Sequence, residues 1–238
     1  MYSRQKLIPQ IGEEGQLKLK KGRVAVIGAG GLGGPAALYL SYGGVGHIRI
    51  IDNDTVAPSN LNRQILYGVA DLGRSKALCA QERLAAAHPE EEIEGITATI
   101  DENSVRQLIG DVQAVVACVD NQHTRRCLNR ACQDLGIPLV EGGIHGFYGY
   151  VMTIGKDTPC MECLGSQAEE KDAPIPSLGA VAGVIGSLQA VECIKLLTGA
   201  GKPLYGRLLT YDGLDGSFDC LPVEKSPSCP IHGSLSRT

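Results

Sequence analysis

The chain has 238 residues, a formal charge of −4, 31 glycines, 4% aromatic residues and no tryptophan. That length suits one large α/β domain or two small ones around a substantial core. The acidic balance argues against a nucleic-acid interface built on a basic face. The opening stretch MYSRQKLIPQIGEEGQ lacks the apolar run of a signal peptide, so a cytoplasmic protein is the simplest expectation.

After a polar N-terminal arm (1–22), strand and helix signals alternate. RVAVIG (23–28) reads as an apolar strand, and LGGPAALYLSYGG (32–44) has helical spacing with Pro35 confined to the first turn. HIRIID (47–52) is a second strand, SKALCAQERLAAAHP (75–89) a helix stopped by its proline, and EIEGITATI (92–100) a third strand. A short helix at 104–110, a strand at 112–120 and a helix at 122–136 come next. Residues 137–155 hold a fifth strand with an antiparallel continuation. The rhythm predicts an α/β fold with a doubly wound, mainly parallel sheet and right-handed crossovers, with 23–155 as its nucleotide-binding core.

The remainder, 156–238, changes character. Residues 156–177 form a long polar connection without periodicity, of the kind that is usually functional. Residues 177–199 read as a helix apolar nearly all round, ending near Lys195 and Gly199. Its apolar stretch 178–191 is too short to span a bilayer and runs into Glu192 and Lys195, so no membrane partner is expected. Gly179, Ala182, Gly183 and Gly186 would let another helix approach, as a core helix or as one that also lines a subunit interface. RLLTYDG and GSFDCLPV suggest a terminal hairpin, continued by a tail rich in proline and serine.

In GAGGLG, Gly28, Gly30, Gly31 and Gly33 lie between a strand and a helix, where phosphate can reach backbone N–H groups. Asp52 ends the second strand, where a carboxylate can accept bonds from a ribose. These features fit NAD as well as ATP. Three further segments point to a triphosphate. IDNDTVAPSNLNRQ (51–64) carries Asp52, Asp54, Ser59, Asn60, Arg63 and Gln64, GRSK (73–76) brings Lys76 to a helix start, and CVDN (118–121) brings Asp120 and Asn121 to the end of the fourth strand. Two cations near one phosphate loop suit charge that develops between the α- and β-phosphates. A carboxylate at the sheet edge can hold Mg2+.

The set GAGGLG, IDND, SNLNRQ, GRSK and CVDN resembles the MoeB and ThiF adenylating enzymes, which activate ubiquitin-like sulfur carriers and are related to the ubiquitin-activating enzyme. The resemblance runs from about Tyr2 to about His232. It implies that the loop around Gly31 binds ATP, Asp52 the ribose, and Asn60, Arg63 and Lys76 the phosphates, with Asp120 holding magnesium. It also implies a homodimer in which Arg4 of the YSRQ segment reaches the partner's site. The implied reaction joins the C-terminal glycine carboxylate of a carrier ending in Gly-Gly to the α-phosphorus of ATP. Arg4, Arg63, Lys76 and Asp120 are the expected catalytic residues.

Nine cysteines without a signal peptide do not suggest a disulfide framework. Cys79, Cys118, Cys127, Cys132, Cys193 and Cys220 are expected to be small buried hydrophobes. PCMEC (159–163) and SCPIH (228–232) supply Cys160, Cys163, Cys229 and His232 in two spaced pairs, the pattern of a structural zinc site. The family it resembles has four cysteines there, so His232 departs from it. Buried or free thiols beside an unrelated histidine remain the alternative. Relatives that form a thioester or acyl-disulfide have a reactive cysteine after the first pair; residues 166–183 contain none. Adenylation without a covalent enzyme intermediate is therefore expected, with sulfur supplied by a separate donor protein. A nicotinamide oxidoreductase, adenylation of another carboxylate or of tRNA, and a non-catalytic scaffold remain as other readings.

Overall fold

The valine- and isoleucine-rich runs become the middle of one sheet in the computed structural model, which describes residues 1–165 and 175–232. The elements are α1 (Ser3–Lys6), α2 (Gly12–Lys20), β1 (Arg23–Ile27), α3 (Gly33–Tyr42), β2 (His47–Ile51), α4 (Lys76–Ala87), β3 (Glu92–Ile96) and α5 (Val105–Ile109). They continue with β4 (Ala114–Ala117), α6 (Gln122–Leu135), β5 (Leu139–His145), β6 (Tyr148–Ile154), α7 (Gly179–Thr198), β7 (Arg207–Asp212) and β8 (Ser217–Pro222).

Among the described residues the strand order is β3-β2-β1-β4-β5-β6-β7-β8. The pairs among β3, β2, β1, β4 and β5 are parallel, and β6, β7 and β8 add antiparallel ribbons. Side chains alternate across this sheet as a two-residue period requires. Val24, Val26, Ile48 and Ile50 pack with Leu40 of α3, Leu84 of α4 and Ile185 of α7. Ala25, Ile27, Val115 and Ala117 pack on the other face with Ile109 of α5 and Leu128 of α6. The chain leaves β1 for β2 and β3 on one side and for β4 and β5 on the other. The carboxyl ends of β1 and β4 thus form the switch point at which open α/β sheets bind ligands.

The N-terminal arm, which the sequence marks only as polar, is helical. It folds as α1 and α2, and Leu19 and Gln16 are buried. Gln5 Nε2 donates to Gln16 Oε1 (2.8 Å) and to the Gly43 carbonyl (2.9 Å), while Tyr2 Oη donates to Glu91 Oε1 (3.2 Å). These contacts hold the arm at the turn that enters β2, the edge of the sheet opposite the switch point. The connection after β6 has a helical turn at Met161–Leu164, and residues 166–174 of the expected loop lie outside the described residues. Cys220 is exposed on β8, contrary to the expectation of burial, because β8 is the edge strand and every residue in it is exposed. The other five cysteines expected in the core are buried.

By length and composition α7 could cross a membrane. Here it lies against the sheet, with polar side chains turned inward. Gln189, fully buried, donates from Nε2 to the carbonyls of Ala117 (2.7 Å) and Val140 (3.3 Å). Glu192 Oε2 accepts from Thr153 Oγ1 and from the Leu204 amide, each at 2.8 Å, and Glu192 pairs with Lys195. The small residues serve close approach: a Cβ on Gly186 would sit 2.3 Å from the Leu32 carbonyl oxygen, whereas Gly183 faces open space. Glu192→Ala strands a buried N–H, a hydroxyl and a lysine, and should cost about 2–4 kcal/mol in urea denaturation. Val191→Ala, at an exposed neighbour, should change little.

Candidate active site

At the carboxyl edge, the chain turns from β1 into α3 with a backbone that only glycine permits. Gly28 has φ of +88°, and its Cβ would lie 2.6 Å from the Cys118 carbonyl oxygen. A Cβ on Gly33 would come within 1.8 Å of the Gly28 carbonyl oxygen. The turn therefore closes tightly, and the Gly34 amide is bonded within it to the Gly30 carbonyl at 2.9 Å.

That space is a cleft of about 700 Å3 including its open mouth. Its wall includes Gly28, Gly30, Asp52, Asp54, Gln64, Lys76, Asp120 and Asn121. Asp52 uses both carboxylate oxygens on the backbone: Oδ2 accepts from the Ala29 amide (2.7 Å) and Oδ1 from the Asp54 amide (2.8 Å). Burial pushes its pKa up, while those two N–H bonds and Lys76 pull the other way. Lys76, 5% exposed at the start of α4, pairs through Nζ with Asp54 Oδ2 at 2.8 Å. Gln64 is buried with Oε1 lacking a hydrogen-bond partner. Asn121 caps α6, its Oδ1 accepting from the Thr124 amide at 2.8 Å, and so fixes the turn that presents Asp120. Asp120 is exposed at the rim.

The structure does not bring every expected residue to this cleft. Arg63 lies beside it, its side-chain stem against Gly31, and its Nη1 donates to the Ser59 carbonyl (2.8 Å) and Asn62 Oδ1 (3.0 Å). Asn60 shapes that segment, its Oδ1 accepting from the Ala57 amide at 3.0 Å. Ser59 contributes its carbonyl. Arg4 is remote: on α1 it lines a surface hollow with Tyr42 and His88, at the opposite edge of the sheet.

Two residues that sequence reasoning missed brace the cleft. Tyr67, buried, donates its hydroxyl to the Ala29 carbonyl (2.8 Å) and also lies 3.2 Å from the Lys76 carbonyl, which ties the glycine turn to α4. Burial raises its pKa, so the phenol stays a neutral donor. Arg125 forms an ion pair with Glu141, which is 1% exposed, and donates to the carbonyls of Val119 and Gly142. It thereby anchors the turn just before Asp120. Neither carries a motif signal, because each acts on carbonyls that are neighbours only in the folded chain.

The cysteine pairs do meet. Cys160 Sγ lies 3.9 Å from Cys163 Sγ and 3.8 Å from Cys229 Sγ. His232 Nδ1 is 3.7, 3.3 and 3.5 Å from the three sulfurs in turn. A tetrahedral zinc with ordinary bond lengths requires about 3.8 Å between sulfurs and about 3.5 Å between sulfur and nitrogen. The four donors fit that ion, and the sulfurs are too far apart for a disulfide.

A model of the ThiF family matches residues 2–231. The chain is 41% identical to the sulfur carrier protein adenylyltransferase of Thermus thermophilus, over 98% of this chain and 90% of that one. It is 40% identical to the SAMP-activating enzyme E1 of Haloferax volcanii, over 98% and 88% respectively. Among solved structures, that of Escherichia coli MccB shares the fold, with a TM-score of 0.87, 22% identity and coverage of 98% of this chain and 72% of that one.

Asp52→Asn tests the cleft. One amide oxygen must become NH2 facing a backbone N–H, so the substitution should cost about 1–3 kcal/mol in thermal denaturation.

Proposed function

The chain belongs to the ThiF family, and from that premise we propose that it adenylates the C-terminal glycine of a small ubiquitin-like sulfur carrier protein at the expense of ATP. Two observations jointly support this reading. Glycine turn, Asp52, Lys76 and Asp120 share one cleft, and the extended similarity is to a sulfur carrier protein adenylyltransferase. A carboxylate oxygen of the carrier attacks the α-phosphorus, the bond to the bridging oxygen breaks, and pyrophosphate leaves with the electron pair. The attacking carboxylate is already ionised at neutral pH, so no general base is needed. Catalysis then comes from positioning and charge neutralisation.

In this reading Gly28, Gly30, Gly31 and Gly33 cradle the phosphates and Asp52 accepts from the ribose, with Ser59, Asn60, Gln64 and Asn121 shaping the pocket. Lys76 leaves Asp54 for the phosphates, and Arg63 turns toward them. Asp120 would hold Mg2+, whose role is to neutralise phosphate charge. The chain works as a homodimer, and Arg4 serves the partner's cleft, since it lies far from its own. The protein acts in the cytoplasm, and a separate donor delivers sulfur to the acyl-adenylate. A covalent enzyme intermediate is not part of the cycle. Cys118, Cys132 and Cys193 are buried thiols pushed up to about 12, and Cys220 sits on the edge strand, separated from β4 by β5, β6 and β7. Cys160, Cys163, Cys229 and His232 hold structural zinc.

The direct test is ATP–pyrophosphate exchange with carriers ending in Gly-Gly. Carrier-dependent exchange is expected, lost by at least about 100-fold in Asp120→Ala. Turnover of a small acid with no exchange for any carrier would overturn the reading. Mixing Arg4→Ala with Asp120→Ala chains should restore about a quarter of native exchange, because half the dimers are mixed and each has one intact site. No recovery would place Arg4 outside the partner's site. Cys229→Ser should remove one zinc and lower Tm by several degrees, while exchange at low temperature persists.

A further inference from the structure

We propose that Glu102, His123 and Cys127 form a second metal site, separate from the Cys3His cluster and suited to a borderline divalent ion of the zinc class. The three side chains come from two elements. His123 and Cys127 are four residues apart on α6, so they share one face of the helix. Glu102 sits on the turn that leads into α5.

The distances are those of a ligand set. His123 Nε2 lies 3.7 Å from Cys127 Sγ and 3.7 Å from Glu102 Oε2, and all three donor atoms lie within 4.8 Å of one another. Around a tetrahedral zinc the nitrogen–sulfur and nitrogen–oxygen edges are about 3.5 and 3.4 Å, so the two edges from His123 each lie within a few tenths of an ångström of that geometry.

The scaffold is already fixed. Asp101 Oδ1 accepts from the amides of Asn103 (2.9 Å) and Ser104 (2.8 Å), and Ser104 Oγ accepts from the Asp101 amide (3.0 Å) and donates to the Thr99 carbonyl (3.0 Å). An ion pair between Arg106 and Asp134 holds α5 to α6. Entry is open, because the side chains of His123 and Glu102 are 58% and 66% exposed, whereas Cys127 is buried at the base.

One nitrogen, one sulfur and one carboxylate oxygen make a set for zinc or its Irving–Williams neighbours rather than for magnesium or calcium. Three protein ligands leave a fourth position for water, unlike the closed Cys3His cluster. Place matters too. Thr99 and Ile100, Asn121 at the cap of α6, and Thr124 within it line the cleft. An ion here would clamp together the two segments that form that wall, and its affinity would be linked to that of the nucleotide.

Equilibrium dialysis of the full chain against buffered Zn2+, with the metal counted by mass spectrometry, reads the site directly. One zinc per chain beyond the Cys3His complement is expected. It should be absent from His123→Ala and Cys127→Ser, bound about tenfold more weakly by Glu102→Gln, and retained in Cys163→Ser. Circular dichroism checks the fold, and His123 and Glu102 are exposed enough to change without unfolding the chain. Co2+ in that position should give a thiolate charge-transfer band that Cys127→Ser lacks. Equal zinc content in the native chain, His123→Ala and Cys127→Ser would overturn the proposal.

Discussion

The close packing of Gly33 on the Gly28 carbonyl governs the whole carboxyl edge of the sheet. Because no side chain intervenes, α3 begins directly over the end of β1. The same economy recurs at Gly186, which lets α7 descend onto the Leu32 carbonyl. Asp52 then accepts from the Ala29 amide within that turn, so one carboxylate ties the loop to the end of β2. A larger residue at either glycine would displace α3, and with it the frame for everything that lines the cleft.

The charges in the cleft are unbalanced in an informative way. Asp52, Asp54 and Asp120 face a single buried ammonium, that of Lys76, which is paired with Asp54. Such a site favours a bound cation. In the proposed reaction, phosphates arriving with a cation would offer the lysine a better partner than Asp54, and the observed pair fits the resting arrangement of that proposal. Arg63 is likewise held by carbonyl and amide oxygens rather than by a carboxylate, and its release costs little.

Much of this was legible in the sequence, for physical reasons. Apolar runs of five residues ending in glycine or aspartate can only be strands in a sheet covered on both faces, and helices between them force the parallel order. The cysteine spacings were legible because two short-spaced pairs are the pattern that a tetrahedral set of donors requires. The N-terminal helices were not, since α1 buries none of its own residues and α2 has glycines at its first and fourth positions. Their docking rests on Gln5 and Gln16 reaching the Gly43 carbonyl, a contact that no local pattern encodes. Tyr67 and Arg125 escaped for the same reason. Cys220 was misread because alternation along β8 does not reveal that the strand lies at an edge.

The inward-facing amide of Gln189 has a consequence for how the chain is made. The carbonyls of Ala117 and Val140 find this donor only on α7, near residue 189. During synthesis from the N-terminus, the parallel strands emerge well before the helix that packs on β4 and β5. Until α7 has emerged, the part of that sheet face formed by β4, β5 and β6 lies bare, while α3 and α4 already cover β1 and β2. The face that β4, β5 and β6 present to α7 is thus the last part of the core to be covered as the chain is made.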